Sequence, residues 1–324
     1  MFNSIPILMY HGFLSKEPDS KIVNYDSKHI SIELFEKQLE FLSKNHTVIS
    51  LEESVNILKD KKCLPKKNIV LTIDDGYRSN YLLAFPILSK FGFKATIFVT
   101  TDFIDQLNYL WFDRLEHAIN VTDKNNIILK ISNTTHEFKL TDIDHKIAAI
   151  SKIKSKLKRI DAQQLIDIIN ELETNLIGDS KETIRNSLIY APLNWSDINN
   201  MLSSQLISIG CHCRSHVILS KCSKDQTFEE IKSSKNRIEE KTGRKCDLFS
   251  YPNGKSDDFN IETVEILKFL NFSSAVTTII GANNHKSDLY QLNRLPITGQ
   301  GNIASFKRTL NPISRTLRKL KNSI

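Results

Sequence analysis

The chain has 324 residues, 40% hydrophobic and 25% charged, enough apolar material for a large core, so wholesale disorder, collagen-like repeats and disulfide-dense scaffolds are excluded. A formal charge of +7 raises nucleic acid, an anionic membrane surface or an acidic substrate as partners. Cys63, Cys211, Cys213, Cys222 and Cys246 are odd in number and form no CxxC pair, which fits a reducing compartment and speaks against a structural zinc site.

Residues 1–6 show no basic segment leading into a long apolar run, and no stretch reaches the ~18 apolar residues of a membrane span. The expectation is a cytoplasmic protein. In chain order, short apolar runs at Ile5–Tyr10, His46–Ser50, Asn68–Ile73, Lys94–Thr100, Leu206–Cys211, Leu248–Tyr251 and Ser274–Thr278 predict strands. Helical segments lie between several of them, such as Ile32–Asn45 with Leu34, Phe35, Leu39 and Leu42 on one face. Seven buried strands alternating with helices predict an α/β protein, either a barrel or a doubly wound parallel sheet.

From Asp105 to Ser187 that rhythm stops. Asn126–Ser132 and His136–Leu140 read as a polar hairpin, Asp142–Asn170 as two charged amphipathic helices and Leu172–Ile184 as a third. The domain reading is therefore residues 1–104 and 191–304 as one sheet-forming unit, 105–190 as an inserted hairpin and helical subdomain, and 305–324 as a tail. After Asn311-Pro312, Ile313, Leu317, Leu320 and Ile324 recur at helical spacing among basic residues. Six of the seven net positive charges fall from Ser305 onward. A basic amphipathic tail predicts attachment to an anionic membrane surface, with roughly 1 kcal/mol per basic residue near it. Nucleic acid is not expected, because no basic surface interleaved with aromatics and no recognition helix is visible.

Three strand ends carry residues suited to chemistry. Asp74 and Asp75 follow an apolar strand and precede Gly76, where a parallel α/β fold places its active site; a solvated turn reads the same way. His212 and His216 straddle the end of another strand, and with Asp75 they make two imidazoles and a carboxylate, an open catalytic metal set. A histidine pair is also common as core or surface decoration, and Cys211 and Cys213, on either side of His212, read as packing residues. The third strand end is Ser250-Tyr251-Pro252-Asn253-Gly254, equally compatible with a simple loop.

Together, Asp74-Asp75-Gly76-Tyr77, His212-x-x-x-His216 and Tyr251-Pro252-Asn253-Gly254 resemble the first three motifs of the polysaccharide deacetylase family, the NodB-homology or carbohydrate esterase 4 group. The resemblance implies a distorted (β/α)7 barrel. It also implies removal of acetyl groups from N-acetylated sugars with one divalent metal, zinc first, with cobalt, nickel or manganese as alternatives. By the same resemblance Asp75, His212 and His216 bind the metal, Asp74 is the general base, and the Asn253 main-chain N–H meets the oxyanion beside Tyr251 and Tyr77.

Two departures stand out. The family's third-motif arginine is replaced by Ser250, and Arg294, from Leu292-Asn293-Arg294-Leu295-Pro296, is the candidate substitute. The family's late histidine is absent from the C-terminal region, whereas the chain opens with an apolar run ending in His11. This looks like a permuted subgroup with the last strand at the front and His11 as general acid. Trp111 and Trp195, bracketing the insertion, are candidates for stacking on sugar. Alternatives are an Fe(II) oxygenase using the same ligands, hydrolysis of a non-sugar amide, and a glycan- or lipid-binding protein with a decayed site. The expected substrate is a surface glycan or its lipid-linked precursor.

Overall fold

Seven parallel strands close into a ring in the computed structural model, which describes residues 4–61, 64, 66–178, 184–185 and 187–311. They are β1 (Ile7–Tyr10), β2 (Asn68–Ile73), β3 (Ala95–Val99), β4 (Ile207–Cys211), β5 (Leu248–Ser250), β6 (Ser274–Ile280) and β7 (Leu292–Pro296). Each pairs with the next in sequence, and β1 closes the ring by pairing with both β2 and β7. All residues of β1, β2, β3 and β5 are buried, as strands covered by side chains inside and helices outside must be. The protein is a (β/α)7 barrel.

Barrel membership differs from the sequence reading at one strand. Thr47–Ile49 pairs alongside the N-terminal half of β2 and is not in the ring. Its place is taken by β7, whose Asn293, Arg294 and Pro296 disguise it. Arg294 is fully buried there, because its guanidinium finds a partner for every donor.

The segment after β3 builds a second core. Leu115, Ala118 and Ile119 of helix Trp111–Val121, Ile127, Leu129 and Ile131 of a hairpin, and Ile150, Ile153 and Leu157 of the next helix belong to one buried cluster. The hairpin strands, Asn126–Ile131 and Thr134–Lys139, are antiparallel. Ser132 and Asn133 both take positive φ at its turn, the backbone of a two-residue turn matched to strand twist.

Among the described residues two α-helices follow, not three. Ile143–Leu157 is capped by the Asp142 side chain and Ala162–Ile177 by Asp161. The second runs unbroken because Leu165, Ile169, Leu172 and Leu176 keep one buried stripe through the expected break. At the other end of the chain, Asn302 caps helix Ile303–Leu310; the basic amphipathic stretch after Asn311 lies outside the described residues. Among the described residues no helix is long and apolar enough to cross a membrane.

Candidate functional site

The C-terminal ends of β1, β2, β4, β5 and β7 converge on one cleft of about 280 Å³, lined by His11, Asp74, Asp75, His212, His216 and Asn253 among others. A larger cavity nearby, about 450 Å³, contains none of these side chains.

Asp74 and Asp75 are neighbours in sequence, and along a pleated strand they would face opposite ways. They converge because the chain turns left-handed immediately after β2, at φ 78° for Asp75 and 95° for Gly76. A Cβ on Gly76 would also sit 2.8 Å from Ile104 Cδ1, so glycine meets both a conformational and a packing demand there. The Asp74 amide donates to the Tyr10 carbonyl at 2.9 Å, tying this turn to the strand end that presents His11.

Asp74 is held by Arg294. The guanidinium gives one N–H to each carboxylate oxygen, at 2.7 and 2.6 Å. Its remaining donors reach Thr72 Oγ1, Ser250 Oγ and the Thr277 carbonyl, so all five N–H groups are used. Ser250 Oγ in turn donates to Asp74 at 3.2 Å. Burial would raise the Asp74 pKa, but Arg294, by charge and hydrogen bonding, pulls it below the usual carboxylate value. The carboxylate is therefore ionised, immobile and available to accept a proton.

Asp75, His212 and His216 form the second feature. Their ligand atoms all lie within 4.8 Å of one another, and all three residues are buried. Asp75 Oδ1 is 3.5 Å from His212 Nε2 and 3.4 Å from His216 Nε2, while Asp75 Oδ2 is buried without a hydrogen-bond partner. The Ser250 carbonyl lies 2.7 Å from His212 Nδ1 and accepts from it in the tautomer that leaves Nε2 as a lone-pair donor, the arrangement that orients metal-binding histidines. His216 reaches the site from a left-handed backbone at φ 60°. Two imidazole nitrogens and one carboxylate, whose Oδ2 accepts no hydrogen bond and lies 3.9 Å from the Lys28 ammonium, fit one divalent cation with positions left open. Cys211 and Cys213 are buried outside this set; burial raises both thiols, Cys211 to about 11, so they pack as neutral side chains.

The other named residues divide between the cleft and its surroundings. His11 lines the cleft; burial lowers its pKa, with Asp75 and Asp74 opposing that shift. Asn253, at φ 60°, has a main-chain N–H with no protein acceptor among the described residues. The Tyr251 ring forms part of the wall, but its hydroxyl donates to the Tyr290 carbonyl. Tyr77 is not a lining residue: its hydroxyl accepts from Lys28 and donates to Asp113 at 2.6 Å, joining the barrel to the inserted helix. Trp111 is part of the wall, whereas Trp195 donates to Asp105 outside the cleft.

Sequence reasoning missed Lys28, Phe112, Lys154 and Lys158, all lining residues. Lys28 sits in an irregular loop, and the two later lysines belong to a helix whose polar residues read as a solvated face. Nothing in their local spacing marks them as part of a cleft.

A profile of the family described as polysaccharide deacetylase matches residues 61–275, well over half of the chain. The chain belongs to the polysaccharide deacetylase family. Its members hydrolyse acetamido C–N bonds with a metal, and the donor set above suits that chemistry. The Bacillus subtilis protein YxkH, named for this family, is 31% identical over 137 residues, covering 40% of this chain and 46% of that protein. The poly-beta-1,6-N-acetyl-D-glucosamine N-deacetylase of Staphylococcus epidermidis is 27% identical over 133 residues, covering 39% and 43%. The chain thus spans under half the length of these curated relatives. Among solved structures, the Streptococcus pyogenes deacetylase PplD in complex with acetate superposes with a TM-score of 0.64 at 22% identity, over 95% of this chain and 99% of that one. That match shows the deacetylase fold, carried over nearly the whole chain.

Proposed function

We propose that this protein is a metal-dependent N-deacetylase acting on an N-acetylated sugar of a surface glycan or its lipid-linked precursor. The observation that carries the reading is a buried carboxylate, Asp74, clamped by Arg294 and facing a two-histidine, one-carboxylate set in the same cleft. The activity named for the Staphylococcus epidermidis relative supports the same substrate class.

Asp75, His212 and His216 would hold the cation, for which zinc is the first choice. When bound, such an ion supplies Lewis acidity, polarising the amide carbonyl and acidifying water. Asp74 takes the proton as water attacks, since it is ionised and Arg294 fixes its orientation. The Asn253 N–H, which has no acceptor among the described residues, donates to the tetrahedral oxyanion. His11, on the strand that we assign as the family's displaced last one, then protonates the departing amine. Tyr251 shapes the wall against the sugar, and Tyr77 acts from behind Lys28.

The basic tail from Asn311 onward is proposed to hold the enzyme at an anionic membrane surface, close to lipid-linked glycan. Cosedimentation with anionic liposomes should fall on deleting residues 311–324; unchanged binding removes this part.

The deacetylase reading is tested by acetate release from an N-acetylglucosamine oligomer, with and without chelator. Asp74→Asn should lose turnover and keep its metal, while His212→Ala should lose both. An active Asp74→Asn enzyme overturns the base assignment, and chelator-resistant turnover overturns the metal.

A further inference from the structure

The insertion contributes Trp111, Phe112, Lys154 and Lys158 to the cleft wall. Lys154 lies near the end of helix Ile143–Leu157 and Lys158 at its C-terminal cap; both line the cleft together with Lys28. Most of the surrounding charge is matched. Lys28 pairs with Asp113 at 3.1 Å and Lys154 with Asp26 at 3.1 Å. Arg294 neutralises Asp74, and Asp75 faces the two imidazoles.

Lys158 is the exception. Its ammonium rests on a neutral acceptor, Asn253 Oδ1, at 2.5 Å. No carboxylate of the described residues makes an ion pair with it. The nearest acid in that loop, Asp258, spends Oδ2 on the Asn253 side-chain amide and the Lys255 N–H. Burial first, then Lys154 and Lys255, push the Lys158 pKa down to about 8, outweighing the opposing charges of Asp258 and Asp26. A bound cation at Asp75, His212 and His216 would add more positive charge to the same cleft. The excess sits against Asn253, the residue whose N–H is proposed above to meet the oxyanion.

We propose that the substrate is an anionic glycan, in which a phosphate or carboxylate group next to the N-acetylated sugar is bound by Lys158 with support from Lys154. This rests on the deacetylase reading for its site and concerns which glycan enters it. A neutral N-acetylglucosamine polymer offers Lys158 no counter-charge. An oxyanion accepts a charge-assisted hydrogen bond and discharges the local field.

The test compares three ligands on the zinc-loaded full chain: a chitotetraose, a heparosan tetrasaccharide carrying glucuronate, and N-acetylglucosamine 1-phosphate linked to a short glycan. Titration calorimetry should give about tenfold tighter binding of an anionic ligand than of chitotetraose at low salt, with the advantage shrinking in 0.5 M NaCl. The preferred anion identifies the group as phosphate or carboxylate. In Lys158→Gln, which keeps a donor for Asn253 but removes the charge, the ratio should fall to near one, and Lys158→Arg should restore it. Reading a ratio within each variant cancels any general damage. Equal binding of neutral and anionic ligands, or a preference that survives Lys158→Gln, overturns the proposal. Acetate release from the same ligands is scored separately: a retained preference without release overturns the deacetylase reading and upholds this one.

Discussion

Arg294 meets Asp74 through two parallel N–H···O bonds of 2.7 and 2.6 Å, in a place where the guanidinium has no exposed surface at all. Such a pair is costly to bury and more costly to break, because removing one partner strands the other charge, at about 3–5 kcal/mol. Arg294→Met should therefore destabilise the protein by that order. The Asp74 pKa is lowered in the folded state, so its contribution is present above the unfolded carboxylate value and lost as pH falls through the folded one. The variant should unfold at higher pH in an acid titration followed by circular dichroism. Arg294→Lys keeps the charge and loses the fork; turnover should drop on the order of 100-fold with zinc content unchanged, since a displacement near 1 Å costs about that much. Unaltered turnover in Arg294→Lys would mean that Asp74 does not need its orientation fixed.

His11 makes a prediction that separates leaving-group protonation from simple packing. His11→Ala should reduce deacetylation of an N-acetylated sugar by about 10²–10⁴-fold, the usual weight of general acid catalysis, with metal content intact. Hydrolysis of 4-nitrophenyl acetate, whose phenolate leaves without a proton, should be far less affected. If both reactions fall equally, His11 supports the site without donating a proton.

How far these features were legible in the sequence depends on where their determinants lie. Apolar runs ending in Asp-Asp-Gly and His-x-x-x-His point to strand ends because burial and turn chemistry are local properties. The seventh ring strand was hidden because Arg294 is tolerated in a barrel wall only through partners 17 to 222 residues away in sequence. The grouping of Asp75 with His212 and His216 is legible in the sequence, but the backbone that achieves it is not: Asp75, His216 and Asn253 all take positive φ without being glycine, and that strain is enforced by the surrounding fold. The helix break in the insertion was misjudged because a continuous buried stripe outweighs the polar residues around Asn170.

Gly12 follows His11 and is required by a contact rather than by its φ. A Cβ there would lie 1.9 Å from His29 Nδ1 and 2.3 Å from His29 Cε1. The His29 ring is buried and packs edge-on against Tyr77 at 4.6 Å, so it has little room to withdraw. Gly12→Ala should cost about 1–3 kcal/mol, as overpacking does, read as a lower thermal midpoint. The double variant Gly12→Ala/His29→Ala should recover part of that loss. A double variant no more stable than Gly12→Ala would locate the strain elsewhere.

Glu116 sets a pH dependence that does not involve the reaction. It sits on the inserted helix, 6% exposed, accepting from the Asn24 amide at 3.1 Å and from the Tyr190 hydroxyl at 2.8 Å. Burial, reinforced by the nearby Asp113 charge, pushes its pKa up to about 7 from 4.5. A carboxyl with a raised folded pKa binds a proton more tightly in the native than in the unfolded state. Its share of stability is complete below about 4.5 and is lost as pH rises through about 7, because over that window the native state holds more protons. At 1.36 kcal/mol per pH unit, the loss is on the order of 3–4 kcal/mol. Glu116→Gln mimics the protonated form and still accepts both hydrogen bonds. Its thermal midpoint should exceed that of the parent at pH 8 and match it near pH 4.5. Parallel pH profiles for the two proteins would show that Glu116 stays ionised in the fold, stabilised by the Asn24 and Tyr190 donors against its burial.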